Sequence, residues 1–164
     1  MKTLYLIRHA KSSWSDPGVD DFERTLNKRG QKDAPVMGKI FKKNLVKPDC
    51  IIASSSRRTL ETAEIIAEKI DYPLGRIISN DNIYEASTYD LLDIITKLDD
   101  KYSCVFLIGH NPALTILANL LTDVQIDNIP TTGVFVIGFD FTHWRKVCEK
   151  TGTFISFDYP KNYK

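Results

Sequence analysis

Four short runs of continuous apolar residues restrict the fold of this chain more than any other feature. The runs cover residues 3–7, 50–53, 104–108 and 134–139, and a fifth run at 153–157 alternates apolar and polar residues less clearly. Strands that are covered on both faces read as continuous apolar runs, whereas half-exposed strands alternate. We therefore expect four buried strands and a fifth strand at an edge of the sheet.

The segments between these runs have the spacing of amphipathic helices. Ser87 and Asp90 form a capping box before one of them, and Pro35 interrupts another, so we expect that helix to be kinked at Pro35 or to begin near it. Strands that alternate with helices predict an α/β fold, here a three-layer α/β/α arrangement around a mostly parallel central sheet. The predicted helices cover residues 26–45, 58–70, 88–98 and 112–121.

The composition narrows the class of protein. Lys and Arg (22) balance Asp and Glu (21), and a net charge of +1 gives no basic field that would favour nucleic acid as a partner. No segment has the ~18 consecutive apolar residues of a membrane span, and the N-terminal run is too short for a signal peptide. We expect one soluble domain over residues 1–164, located in the cytoplasm, with no membrane partner.

The three cysteines agree with a reducing compartment. Cys50, Cys104 and Cys148 are far apart, and no CxxC pair occurs. An odd, scattered set of cysteines fits free thiols better than a disulfide framework. The three histidines are also dispersed, so we expect no structural metal site.

Cationic or titratable side chains follow three of the predicted strands. The first run ends on Arg8 and His9, the second leads through three serines to Arg57 and Arg58, and the third is followed by His110. Parallel sheets bind ligands in the crevice beyond the carboxyl ends of their strands. We therefore expect the three groups to lie close together.

The third group has a further feature that favours an anion. Asn111 is a good N-cap and Pro112 a good first helical residue, so His110 should stand directly before a helix N-terminus. Free N–H groups and the helix dipole stabilise negative charge there. Each feature alone has an ordinary structural explanation, but their joint occurrence indicates a site for a small, highly charged anion such as phosphate.

The residue types favour phosphoryl transfer to histidine. The chain has no P-loop, and Cys50 begins a strand where a cysteine phosphatase would need its nucleophile at a strand end. The neutral imidazole of His9 can attack phosphorus in line while Arg8 and Arg58 bind the phosphoryl oxygens. His110, if protonated, would be a third donor. Such a site requires neither a metal nor another cofactor.

Four segments resemble motifs of the histidine phosphatase superfamily, also called phosphoglycerate mutase-like. LYLIRHA is similar to its Arg-His-Gly signature, with Ala10 in place of glycine. The resemblance implies the phosphoglycerate mutase-like fold, with His9 as the phosphorylated nucleophile and Arg8, Arg58 and His110 completing the phosphate pocket. The other three segments are SSSRRTLETA, which places the second arginine at residue 58, RTLNKRGQKDA and IGHNP.

The same resemblance suggests residues around the pocket. It implies Arg24 as a secondary phosphate-side residue, and Asn111 is assigned to the substrate-binding group because it follows the second histidine. Glu85 is the best candidate for the proton donor, and an exposed loop carboxylate is the alternative interpretation. Lys11 and Trp14 follow His9 closely and are candidates for the pocket rim.

The short chain is most similar to the SixA-type phosphohistidine phosphatases, because it lacks room for the insertions of sugar-phosphate members. We therefore expect a metal-independent phosphatase that acts on phosphohistidine in a protein. Two alternatives stay open. One is a phosphatase for a small phosphomonoester with Glu85 as general acid, and the other is a phosphate-binding module without turnover.

Overall fold

A six-stranded sheet forms the centre of the computed structural model, which describes residues 1–164. The strands lie in the order β3-β2-β4-β1-β5-β6, and all run in the same direction except β5, which pairs antiparallel with β1 and with β6. The prediction of a mostly parallel sheet is therefore confirmed, and β6 lies at an edge as expected. The strands are β1 (Lys2–Arg8), β2 (Cys50–Ser54), β3 (Ile78–Asn80), β4 (Cys104–Gly109), β5 (Val134–Phe139) and β6 (Thr153–Asp158).

Helices cover both faces of the sheet and make the three layers. Alternate residues of β1 point to opposite faces, so Leu4 and Leu6 pack with α3 and α4 while Ile7 packs with α1 and α2. Both faces of the central strands are thus apolar, which explains their continuous runs. The helices are α1 (Lys28–Lys43), α2 (Arg57–Lys69), α3 (Thr88–Thr96) and α4 (Ala113–Leu121).

Helix α1 lies within the predicted segment 26–45. It begins at Lys28 and continues through Pro35 to Lys43, so of the two alternatives for Pro35 the start near the proline is wrong. Asn27 caps the helix by accepting a hydrogen bond from the Gly30 N–H (2.9 Å). A buried face that includes Met37 and Phe41 offsets the one backbone hydrogen bond that the proline cannot make.

The start of α1 also fixes the loop that follows β1. A Cβ atom on Gly30 would lie 2.1 Å from the Lys11 carbonyl oxygen, so only glycine allows the helix to approach the loop this closely. The Asn27 N–H donates to the same carbonyl (3.0 Å). The structure thus gives a packing reason for the glycine in RTLNKRG.

Strand β3 was not predicted. It has three residues, of which Ile78 and Ser79 are exposed, and it pairs with β2 at the other edge of the sheet. So short and exposed a strand leaves no apolar run in the sequence. None of the helices is both long enough and apolar enough to cross a bilayer.

Candidate active site

A polar cavity of about 300 Å³ lies at the carboxyl ends of β1, β2 and β4. Parallel strands bring these ends to one edge of the sheet, which is why the three motifs meet. Lys11 and Trp14 lie in the wall, and no group of three or more His, Cys, Asp or Glu side chains is arranged to hold a metal ion. The wall also contains every residue predicted for the site: Arg8, His9, Arg24, Arg58, Glu85, His110 and Asn111.

His9 is held as a neutral imidazole with one unprotonated nitrogen. Its Nδ1–H donates to the Ala10 carbonyl (2.8 Å), so the lone pair is on Nε2, which accepts a hydrogen bond from the Nε–H of Arg58 (3.4 Å). Burial, together with the charges of Arg58 and Arg8, lowers the pKa of His9 to about 3. At neutral pH the Nε2 lone pair is therefore available for attack.

The end of β1 is held by backbone hydrogen bonds around His9. The His9 N–H donates to the Gly109 carbonyl (3.1 Å), and the Thr132 N–H lies within 3.1 Å of the carbonyl oxygens of Arg8 and His9. The Ala10 N–H donates to Oγ1 of Thr62 (2.9 Å). Ala10 itself packs away from the cavity in a small apolar cluster, so the alanine that replaces the family's glycine adds no methyl group to the cavity wall.

A half-buried guanidinium, that of Arg8, and a buried one, that of Arg58, lie near His9. Nη1 of Arg8 donates to the Ile129 carbonyl (3.0 Å), and its buried Nε has no partner within the protein. Arg58 is 6% exposed and lines the cavity, whereas Arg57 is exposed and does not line it. The structure therefore brings Arg58, the arginine chosen by the family resemblance, to His9.

His110 is neutral at neutral pH, whereas the sequence made its role as a third donor conditional on protonation. Its Nε2 lies 2.8 Å from Oγ of Ser54, which accepts from the Ser56 N–H (3.3 Å). The Ser54 hydroxyl can donate to Nε2 or accept from it, and in the tautomer in which it donates the proton of the ring is on Nδ1. Burial, and then Arg58, lower the pKa of His110 to about 4. Nδ1 is buried without a protein partner and can donate to an anion without carrying charge.

Asn111 has a different role from the one predicted. Helix α4 begins at Ala113 after Pro112, so Asn111 is one residue too early to be the N-cap. Its Oδ1 accepts from the N–H (3.2 Å) and Oγ1 (2.8 Å) of Thr115, and its Nδ2 donates to Asn128 and Ile129 (both 2.9 Å). The amide is fully used within the protein, and the assignment of Asn111 to substrate binding stays a prediction that rests on its place in the cavity wall. Asn111 positions the segment that also accepts the hydrogen bond of Arg8.

Glu85 lies on the rim of the cavity. It is exposed, has a left-handed backbone conformation (φ 58°), and belongs to the loop before α3. Only one other carboxylate, Asp21, lines the cavity, and the salt bridges of that residue go to Arg24 and Arg58. Glu85 is therefore the only carboxylate of the wall that no arginine holds.

Asp21 is the functional-site residue that sequence reasoning missed. Its carboxylate contacts Arg58 (3.1 Å), Arg24 (3.0 Å) and the Tyr84 hydroxyl, which donates to it at 2.6 Å. Burial opposes ionisation, but these hydrogen bonds and charges outweigh it and lower the pKa of Asp21 to about 2. The i,i+3 spacing of Asp21 and Arg24 is the one local signal for this contact.

Arg24 and Trp14 form the remaining wall. The Arg24 guanidinium stacks on the Trp14 ring (3.4 Å to the centroid) and donates to Oγ of Ser12 (2.6 Å). Trp14 is 72% exposed, so the stack places an aromatic side chain at the mouth of the cavity. Arg24 contacts Asp21, which in turn contacts Arg58. Its role as a secondary phosphate-side residue stays a prediction.

The structure thus combines an α/β fold with one polar cavity that histidine and arginine side chains line. A model of the histidine phosphatase superfamily (branch 1) matches residues 4–88, just over half of the chain. The chain belongs to this superfamily. Membership implies a phosphatase, and the six-stranded sheet is the phosphoglycerate mutase-like fold that the motifs implied.

Relatives and solved structures match the chain over most of its length. An uncharacterised protein of Mycobacterium tuberculosis is 27% identical over 94% of this chain and 100% of its own. A structure from Agrobacterium tumefaciens, assigned as the phosphohistidine phosphatase SixA, has a TM-score of 0.79 and 25% identity, covering 97% of this chain and 99% of that one.

More distant structures share the fold. The protein histidine phosphatase SixA complexed with tungstate has a TM-score of 0.85 at 18% identity and covers 99% of both chains. A mycobacterial glucosyl-3-phosphoglycerate phosphatase has a TM-score of 0.65 at 12% identity, covering 97% of this chain and 98% of that one. The same fold thus occurs in structures named for a protein substrate and for a small-molecule substrate.

Proposed function

We propose that the protein is a metal-independent phosphatase that removes the phosphoryl group from phosphohistidine in a protein substrate. The observation that carries the proposal is the unprotonated Nε2 of His9, which accepts from the Nε–H of Arg58 (3.4 Å) in a cavity walled by arginines. Nε2 attacks phosphorus, the P–N bond of the substrate breaks, and the substrate imidazole leaves and takes up a proton. Water then attacks the phosphohistidine on His9, which releases inorganic phosphate and restores the imidazole.

Arg8, Arg58 and His110 would stabilise the charge on the phosphoryl oxygens during both steps. The buried Nε of Arg8 and Nδ1 of His110 have no protein partners, so each can donate to a phosphoryl oxygen. Preorganised donors of this kind act strongly in a site from which water is largely excluded. The assignment of these roles follows the family motifs and agrees with the positions of the side chains.

The leaving group favours phosphohistidine over an alkyl phosphate. An alcohol leaves as a strong base and needs a proton donor, whereas the conjugate acid of imidazole has a pKa of about 6.5. The two carboxylates of the wall are Asp21, which stays ionised with a pKa of about 2, and the exposed Glu85. A site without a positioned acid suits a substrate whose leaving group needs little help.

The surroundings of the cavity are compatible with a protein substrate. The rim carries the exposed side chains of Trp14 and Glu85, and the long segment between β1 and α1, residues 9–27, forms one wall of the cavity. The SixA structures, named for phosphohistidine substrates, are similar in shape over almost the whole chain. The three free cysteines fit the cytoplasm as the compartment.

Phosphate release with a chelator present tests the proposal. We expect a phosphohistidine-bearing protein to be hydrolysed faster than p-nitrophenyl phosphate, and an alkyl phosphate to be hydrolysed slowest, because reactivity should follow the ease with which the group leaves. Fastest turnover of the alkyl phosphate would instead favour the small-molecule phosphatase. Phosphate binding without turnover of any substrate would favour the binding module.

Substitution of Glu85 by glutamine separates the two enzymatic hypotheses. We expect Glu85→Gln to change kcat/KM for phosphohistidine less than twofold, because imidazole leaves without general acid catalysis. If Glu85 protonates an alcohol, the same variant should lose roughly 10²–10⁴-fold on an alkyl phosphate. Glu64→Gln, on the exposed face of α2, is the matched control. Equal losses on both substrates would contradict the leaving-group argument.

A further inference from the structure

Asp21 lies among the cationic groups that should receive the phosphoryl group. Its side chain is 46% exposed, whereas the side chains of its partners Arg58 and Arg24 are 7% and 8% exposed. The Asp21 carbonyl also accepts from Nη1 of Arg58 (2.7 Å), next to the 3.1 Å contact between Nη2 and the carboxylate. One residue therefore holds both terminal nitrogens of the guanidinium that faces His9.

The charges of the wall explain why such a contact matters. Arg8, Arg24, Arg58 and Lys11 line the cavity, and two carboxylates oppose them, but only Asp21 touches the arginines. Three hydrogen-bond donors keep Asp21 ionised far below neutral pH, as its pKa of about 2 indicates. The carboxylate is thus a permanent negative charge on the same guanidinium that would bind a phosphoryl oxygen.

Two anions that share one guanidinium weaken each other's binding to it. A site with three arginines and no opposing charge would hold inorganic phosphate strongly, and phosphate is the last product of the proposed reaction. A like charge within about 4–6 Å disfavours the charged form of a group. Asp21 should therefore lower the affinity for phosphate while it keeps Arg58 oriented toward His9.

We propose that the Asp21 carboxylate is a positioning residue that competes with phosphate for Arg58 and Arg24 and so promotes release of the product. The inference rests on the proposed function for the identity of the product. It does not require turnover for its test, because the competition is a property of the anion site itself.

The test compares the affinity for inorganic phosphate of the wild type and Asp21→Asn by isothermal titration calorimetry at 0.15 M salt. Asparagine removes the charge and keeps one side-chain oxygen that can accept from Arg58, while the oxygen that accepts from Arg24 becomes an amide nitrogen. We expect the Kd for phosphate to fall roughly tenfold, which corresponds to a coupling of one pKa unit between two neighbouring like charges. In turnover assays the inhibition constant for phosphate should fall by the same factor, whereas a merely structural role would raise it.

Asp20→Asn is the matched control. It makes the same change of charge one residue away, on an exposed side chain that forms no salt bridge and lies outside the cavity wall. Screening at 0.15 M salt should keep its effect below twofold. Asp21→Ser is a second neutral variant, and it should also bind phosphate more tightly than the wild type.

Unchanged or weaker phosphate binding in a folded Asp21 variant overturns the inference. The two proposals fail in distinguishable ways. A wild type that binds phosphate but hydrolyses no phosphohistidine contradicts the proposed function, and tighter binding by Asp21→Asn would still support the competition. A wild type that hydrolyses phosphohistidine, with an Asp21→Asn variant of unchanged phosphate affinity, contradicts the competition alone.

Discussion

Replacement of His9 by alanine is expected to lower kcat for phosphate release at least about 10³-fold, because removal of a covalent nucleophile leaves only binding and oxyanion stabilisation. The unprotonated Nε2 of His9 is the atom that this variant deletes. The measurement is phosphate release from a phosphohistidine-bearing protein with a chelator present. Labelled substrate quenched at alkaline pH should also leave a phosphoryl group on the wild type and none on His9→Ala.

His143→Ala is the control for this result. His143 is the histidine outside the cavity, and its Nδ1 lies 2.9 Å from the carboxylate of Asp100. We expect this variant to keep the wild-type rate. Chelator-resistant activity that survives in His9→Ala, or label on a different residue, would contradict the assignment of the nucleophile.

The stability of the folded protein is expected to fall steeply between pH 7 and pH 5. Burial lowers the pKa of His9 to about 3 and that of His110 to about 4, whereas an unfolded histidine titrates near 6.5. Between these values the unfolded chain binds more protons, so the free energy of unfolding decreases as the pH falls. From pH 7 to pH 5 the loss is about 2 kcal/mol for His9 and somewhat less for the more exposed His110.

Urea unfolding at the two pH values measures this effect. A variant that carries both His9→Asn and His110→Asn should lose much less stability over the same range, because asparagine does not titrate. If the wild type were equally stable at pH 7 and pH 5, the two rings would have to titrate in the folded protein as they do in the unfolded chain. The lowered pKa values of His9 and His110 would then both be wrong.

Most of the fold was predictable because the burial of the central strands is visible in the sequence. The strands of the sheet centre are apolar on both faces, since helices cover each side, and this burial is visible as continuous apolar runs at 3–7, 104–108 and 134–139. Strand β3 was missed because it is short and exposed and leaves no such run. The start of α1 was uncertain because of Pro35, and the helix crosses the proline because tertiary packing of its apolar face outweighs one missing hydrogen bond.

The convergence of the site was also predictable from sequence. His9, Arg58 and His110 follow strands that lie parallel, so a topology deduced from the strand–helix alternation already places them at one edge of the sheet. The choice between Arg57 and Arg58 needed the family motif. Both residues follow the same strand, and only their positions on α2 decide that one is exposed and the other buried.

What the sequence by itself determined is the set of elements, the edge of the sheet where they meet and the anion chemistry of the residues at that edge. The tertiary structure alone decided how those residues are used. Asp21 accepts a hydrogen bond from Arg58, 37 residues away in the sequence, and Ser54 is hydrogen-bonded to the ring of His110, 56 residues away. Hydrophobic periodicity reports burial along one element, but it carries no information about which polar side chains of distant elements meet, so these contacts and the protonation states that depend on them appear only in the folded chain.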